Sequence, residues 1–136
     1  MSFVLDASAT LAFVFPDERD AAAVQVARDL QHSGAIAPPL WPWEIQNAIL
    51  VAERRKRVTA ERAFEILEDI RTLPVAIESG PTFGAEASFA RRFNLSIYDA
   101  VYLDLAFRRG LPLATRDRAL HNAALELGLK TKGLHP

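Results

Sequence analysis

The sequence contains no cysteine, which removes disulfide frameworks, zinc–thiolate sites and thiol redox catalysis and fits a reducing compartment. Long apolar runs are missing too: nothing approaches the roughly 18 residues of a membrane helix. The opening Met1-Ser2-Phe3-Val4-Leu5-Asp6 has neither the basic start nor the longer apolar stretch of a secretory leader. A soluble, unexported, cytoplasmic protein with no membrane partner is expected. An excess of one charge is also absent, with 16 Lys plus Arg against 17 Asp plus Glu and a net charge of -1. Any nucleic-acid binding must therefore rest on local patches. There are no internal repeats, low-complexity tracts or linker-like stretches, so the 136 residues read as a single domain, 1–136, large enough to bury about two-thirds of its unfolded surface.

Short apolar runs alternate with helical stripes. Ser2 to Leu5 reads as a strand, Ala7 to Phe15 as a short helix stopped by Pro16, and Glu18 to His32 as a helix ending near Gly34. Ala35-Ile36-Ala37 is a second strand, broken by Pro38-Pro39. Leu40 to Lys56 is helical, and Thr59 suits the N-cap of a helix from Ala60 to Arg71. Val75-Ala76-Ile77 is the third strand. Helices follow over Thr82 to Phe93 and over Ile97 to Arg109, the latter closed by Gly110. Pro112 to Thr115 is a strand, Asp117 to Leu127 a helix, and Lys130-Thr131 an edge strand. Strands separated by crossover helices predict an α/β fold with a parallel sheet covered on both faces.

What the sequence does have is four widely spaced acids, Asp6, Glu44, Asp99 and Asp117. Asp6 and Asp117 follow predicted strands, where open parallel sheets place their chemistry, and Glu44 and Asp99 arrive from helices. Each of the three aspartates also suits a helix N-cap, a role that needs no chemistry. Glu44 differs, because helical spacing sets it beside Leu40, Trp41 and Ala48 on a largely apolar stripe. No basic residue lies one turn away, so its charge requires a distant partner, a cation or a proton.

Two carboxylates about 6 Å apart at an effective dielectric near 20 repel by roughly 3 kcal/mol, and four make six such pairs. A hard cation resolves the conflict, and oxygen-only ligands suit magnesium, with manganese as a substitute. Such a metal supplies a nucleophile and neutralises charge on a phosphodiester under in-line attack, which is nuclease chemistry.

Val4-Leu5-Asp6-Ala7-Ser8-Ala9, Glu44 followed by Asn47, Ser96-Ile97-Tyr98-Asp99-Ala100-Val101-Tyr102, and Thr115-Arg116-Asp117 resemble, in order and over nearly the whole chain, the motifs of the PIN-domain family, and most closely its small VapC-like toxins. The resemblance implies a three-layer α/β/α fold around a five-stranded parallel sheet. It also implies a magnesium-dependent endoribonuclease that cleaves structured RNA and serves as the toxin of a toxin–antitoxin pair. The partners implied are a cognate antitoxin, an RNA substrate and a second copy in a homodimer. Carried over by position, Asp6 and Asp99 are the principal metal ligands, and Glu44 and Asp117 complete the catalytic pocket directly or through water. Ser8 and Thr115 are the pocket hydroxyls and Asn47 lines the pocket; apart from the resemblance, Arg116 is taken as pocket support because it adjoins Asp117. Some relatives carry another acid just after the Thr-x-Asp motif, where this chain has Arg118 and Ala119, which removes one ligand for a second metal.

Among other residues, Arg54-Arg55-Lys56-Arg57 reads as a dipole-complementing helix end, and Asp104 with Arg108 as a surface ion pair. Trp41 and Trp43 must face different sides, one in the core and one at an interface. His32, His121 and His135 read as solvated. A phosphoacceptor receiver domain would need a late lysine, for which only Lys130 offers itself, and a haloacid-dehalogenase-type phosphatase would need an aspartate where Ser8 stands. The non-enzymatic alternative is a catalytically weak module that binds RNA or an antitoxin.

Overall fold

The structure, a computed structural model, describes residues 2–134; His135 lies outside the described residues. The chain runs β1 (Val4–Leu5), α1 (Ala7–Val14), a 3-10 turn (Pro16–Glu18), α2 (Ala21–Ser33), β2 (Ala35–Ala37), α3 (Leu40–Arg54), α4 (Ala60–Arg71), β3 (Val75–Ile77), α5 (Glu86–Phe93), α6 (Ile97–Arg109), β4 (Leu113–Ala114), α7 (Arg118–Glu126) and β5 (Thr131–Lys132). The five strands form one all-parallel sheet in the order β3-β2-β1-β4-β5, as the strand–helix alternation predicts. Val4 pairs with Ile36 on one side and Leu113 on the other, so the strand order reverses at β1. That reversal leaves a crevice at the carboxyl edge between β1 and β4.

Helices on both faces explain the composition of the central strands. Val4, Leu5, Leu113 and Ala114 are all fully buried, as expected of parallel strands covered on both sides. The core extends through Ile45 and Ile49 of α3, Ile66 of α4 and Leu103 of α6. The edge strand β3 is only partly covered, with Ile77 48% exposed. No helix of the described residues is long and apolar enough to cross a membrane.

Most helix ends follow their local signals. The Thr59 side chain caps α4 by accepting from Arg62 N at 3.1 Å. Gly34 ends α2 with φ +71, a conformation that costs a residue without Cβ little. Two helices start three or four residues later than their periodicity predicts. α2 begins at Ala21, because Asp20 caps it through Ala23 N at 2.9 Å while Pro16 turns the preceding residues into the 3-10 segment. α5 begins at Glu86, because residues 82–85 form a turn in which Gly84 lies against Asp104; a Cβ there would stand 3.0 Å from Asp104 Oδ2.

The same turn corrects the reading of Asp104. Its ion pair with Arg108 is present at 2.9 Å, but Asp104 is 2% exposed and so is not a surface acid. Trp41 is buried and donates from Nε1 to Thr10 Oγ1 at 3.1 Å, while Trp43 is 69% exposed, the division that their spacing requires. In the basic run, Arg57 is held by Asp17 and Glu18 over the Phe15 ring. His32 is exposed. His121 is not the solvated residue expected, since its Nδ1 is buried with no hydrogen-bond partner.

Leu103 is fully buried and Leu125 half exposed. Leu103→Ala is therefore expected to lower the unfolding free energy by about 2–5 kcal/mol and Leu125→Ala by less than about 0.5 kcal/mol. Urea unfolding of the two variants checks this, and equal losses would mean that α6 does not pack as described.

Candidate active site

Asp6 leaves the carboxyl end of β1, and its backbone N–H is pinned to Ala114 O at 2.9 Å. It occupies the N-cap position of α1 yet makes no side-chain cap bond. Its carboxylate turns instead across the crevice, where Ser8 Oγ and Thr115 Oγ1 each donate to Oδ2 at 2.7 Å. The two hydroxyls are in turn held as acceptors, Ser8 by Arg116 N at 2.9 Å and Thr115 by Asp117 N at 3.0 Å. Each hydroxyl has one proton, already given to Asp6, so the 3.4 Å Ser8–Thr115 approach carries no hydrogen bond. The backbone after β4 thus orients both hydroxyls and they orient Asp6.

The other acids reach the site from helices. Glu44 lies in the second turn of α3, half buried, and its Oε1 accepts the Tyr102 hydroxyl at 2.5 Å. Asp99 is in the first turn of α6, where Ser96 is the N-cap through a 3.1 Å bond from Asp99 N. Asp99 is thus not itself a cap. Asp117 is one, and its Oδ2 accepts from Leu120 N at 3.2 Å. Three of the four acids therefore sit at helix N-termini, whose dipoles stabilise nearby negative charge.

Electrostatics links the four. Burial raises the Asp6 carboxyl to about 6, against the lowering bonds from Ser8 and Thr115 and with further push from Asp99 and Glu44. Burial likewise raises Glu44, opposed by the Tyr102 bond and helped by Asp99. Asp99 is raised by burial and by Asp117. Asp6, Glu44 and Asp99 thus each feel another acid, and Asp117 enters as the neighbour that raises Asp99. Tyr102 is pushed far above the ordinary phenol range by burial and then by Asp6 and Glu44, so its hydroxyl stays protonated and donates. The sequence motifs give Tyr102 no role of its own, although it stands three residues after Asp99, on the same side of α6.

Asp6 is 5% exposed, and the groups in contact with its carboxylate are neutral hydroxyls. All the pocket ligands are oxygens, the donor set of a hard divalent cation. Among the described residues, no three His, Asp or Glu side chains form a ready-made metal-holding group. Asp117 is committed to its cap and Glu44 to Tyr102, so the acids are coupled without being a closed ligand set. Other candidates stand apart. The Arg116 guanidinium, expected as pocket support, reaches Asp20 at 2.9 Å and Gly133 O at 2.8 Å, and only its backbone N–H serves the pocket. Asn47 is exposed, one turn along α3 from Glu44. Lys130 precedes β5, at the opposite end of the sheet from the acids, which removes the receiver-domain reading. Clefts of about 700 and 540 Å³ are lined by other residues, and the acids lie at an open edge that a polymer's phosphate could approach.

Fold and site together define a doubly covered α/β domain with an oxygen-only acidic pocket at its switch point. Residues 3–126 match the PIN domain, and the chain belongs to the PIN-domain family. It is 30% identical over 122 residues to Ribonuclease VapC3 of Mycobacterium tuberculosis, covering 88% of this chain and 85% of the relative. To Ribonuclease VapC3 of Pyrobaculum aerophilum it is 28% identical, covering 88% and 92%. Among solved structures, a Pyrobaculum aerophilum protein superimposes with a TM-score of 0.75 at 23% identity, covering 96% of this chain and 83% of the other. FitAcB from Neisseria gonorrhoeae does so with a TM-score of 0.65 at 12% identity, covering 96% of each. These similarities bear out the fold class expected from the sequence.

A carboxyl with a folded-state pKa above its unfolded value binds its proton more tightly when folded. Its stabilising contribution is full below about 4 and is lost as pH rises through about 6 for Asp6. Glu44 and Asp99 add to this in the same direction; Asp29 is lowered and acts oppositely, at lower pH. In chelator, the protein is expected to be less stable near pH 7 than near pH 5, with Asp6 contributing about 1 kcal/mol over that interval. Asp6→Asn should stabilise the metal-free fold at neutral pH and flatten the dependence. Urea unfolding across this range measures it, and identical slopes in parent and variant would remove Asp6 as the cause.

Proposed function

We propose that this protein is a magnesium-dependent endoribonuclease, the toxin of a toxin–antitoxin pair, cutting structured RNA. One observation carries the reading: a buried carboxylate, Asp6, is oriented by two hydroxyls, coupled to Asp99 and Glu44 and through Asp99 to Asp117, and paired with no cationic side chain among the described residues. Leaving such charge unpaired in a core is costly, and the arrangement makes sense when a cation completes it. The ribonuclease names of the two curated relatives support RNA as substrate.

In this reading Asp6 and Asp99 are the principal ligands for magnesium or manganese, with Glu44 and Asp117 taking part directly or through water. The metal, when bound, neutralises charge on the phosphodiester and supplies a water nucleophile near neutral pH. The residues of the chain prepare for this. Ser8 and Thr115 hold Asp6 in one rotamer, with Oδ2 facing the hydroxyls and Oδ1 left for the ligand. Tyr102 holds Glu44, whose raised pKa suits it to accept a proton. Asp117 fixes the start of α7 and places negative charge beside Asp99. With Arg118 and Ala119 after the last motif, no additional acid is provided there for a second metal.

An antitoxin partner is supported by apolar surface that the chain itself leaves uncovered. Trp43, Phe64, Ile77 and Phe83 are exposed, and a groove between α3, α4 and the free edge of β3 is lined by Trp41, Ile45, Phe64, Ile70 and Ile77. Trp43 also suits the interface of a homodimer. The catalytically weak binding module differs in one respect: its RNA affinity would come without turnover.

Asp6→Asn and Asp99→Asn are each expected to reduce RNA cleavage by about a hundredfold or more, and Tyr102→Phe by about tenfold through loss of Glu44 orientation. Single-turnover cleavage in magnesium, with a chelator control and circular dichroism of each variant, decides this. Folded Asp6→Asn cutting at the parent rate would sink the assignment, and chelator-resistant cutting would sink the metal requirement. A basic antitoxin segment seated on the acids should also bind more weakly as magnesium rises, beyond an ionic-strength control; no excess weakening would place the partner elsewhere.

A further inference from the structure

Tyr98 leaves 62% of its surface in solvent, and its hydroxyl has no partner among the described residues. It is the second residue of α6, one before Asp99 and four before Tyr102. Residues four apart share a helix face, and their side chains lean toward the helix N-terminus. Tyr102 uses that face to reach Glu44 at 2.5 Å. That spacing puts Tyr98 one turn toward the helix N-terminus from Tyr102 and beside Asp99 in sequence, which we take as the exposed rim of the pocket.

The chemistry of the rim limits what this ring can meet. Four acids line the pocket, so a cationic side chain beside them would compete with the metal, and an anionic group would be repelled. An aromatic ring adds attraction without charge. In a single-stranded nucleic acid, each phosphate is flanked by bases that present neutral π faces, and stacking on an exposed ring is the usual means of holding them. A protein partner has the larger apolar groove beside α4, whereas Tyr98 directly precedes Asp99 on α6.

We infer that Tyr98 is a positioning residue that stacks on the nucleobase beside the bond to be cut; this rests on the ribonuclease reading above. Stacking acts on substrate placement before chemistry, so loss of the ring should appear mainly in the enzyme concentration needed for half-maximal single-turnover cleavage.

The test uses an RNA that the parent cuts in magnesium, and the same RNA with the base removed on either side of the cut. Tyr98→Leu keeps apolar bulk without the ring and Tyr98→Phe keeps the ring without the hydroxyl, with circular dichroism reporting folding. Tyr98→Leu is expected to raise the half-maximal concentration about 5- to 100-fold, with a smaller effect on the maximal rate, and Tyr98→Phe to stay within about twofold. Removing the stacked base should weaken the parent by a similar factor and the Leu variant much less. A Leu variant equal to the parent, or one that keeps the full penalty for the missing base, would overturn the inference. Loss of partner-protein binding with RNA cleavage unchanged would overturn it too, assigning the ring to a protein interface. A parent that cuts no RNA would instead sink the ribonuclease reading, and with it the stacking role.

Discussion

The interaction on which the site depends is the pair of 2.7 Å bonds from Ser8 and Thr115 to one oxygen of Asp6. Burying a carboxylate with only neutral donors is unfavourable, which is why its pKa stands near 6. The fold tolerates this because the acid lies where the strand order reverses. There, β1 delivers Asp6, β4 delivers Thr115, and the hydroxyls and backbone N–H groups that follow both strands form a single relay. Without it, the Asp6 side chain would be free to cap α1, as its N-cap position otherwise favours.

The surrounding helices extend the same compromise. α1, α6 and α7 each begin near the pocket, so their positive ends partly offset its negative charge. α3 instead brings Glu44 from its second turn, where no dipole end is near, and there a single protonated phenol, Tyr102, supplies the partner. Charge in the pocket is thus moderated by dipoles and hydroxyls, and among the described residues no Lys or Arg side chain pairs with Asp6 or Glu44. Of the two guanidiniums that flank Asp117, Arg116 is drawn off by Asp20 and Gly133 and Arg118 is exposed. This organisation suits a site whose remaining charge is met by something the chain does not carry.

Much of this was legible in the sequence where the signal was local. Thr59 and Gly34 mark helix ends by chemistry that acts within a turn, and strand-end acids are visible because short apolar runs precede them. Periodicity misled at two helix starts: a tertiary contact, Gly84 against Asp104, delays α5, and a local cap, Asp20, delays α2. Asp104 looked like a surface acid because i,i+4 spacing reveals its Arg108 partner but not the loop lying over both. Arg116 was assigned to the pocket by adjacency to Asp117, although alternate residues after a strand point in opposite directions. Tyr102 was hidden for the converse reason, since its partner Glu44 is 58 residues away in sequence and only the folded chain brings them together.

The central claim is that these acids form a binding site for a hard divalent cation. Manganese titration followed by electron paramagnetic resonance measures this without RNA, antitoxin or turnover. Near neutral pH the parent should bind the ion, with affinity falling toward about pH 5 as Asp6 takes up its proton, and Asp6→Asn or Asp99→Asn should lose most of that binding. Manganese that stays free in the presence of the folded parent, or binds both variants as tightly as the parent, would contradict it.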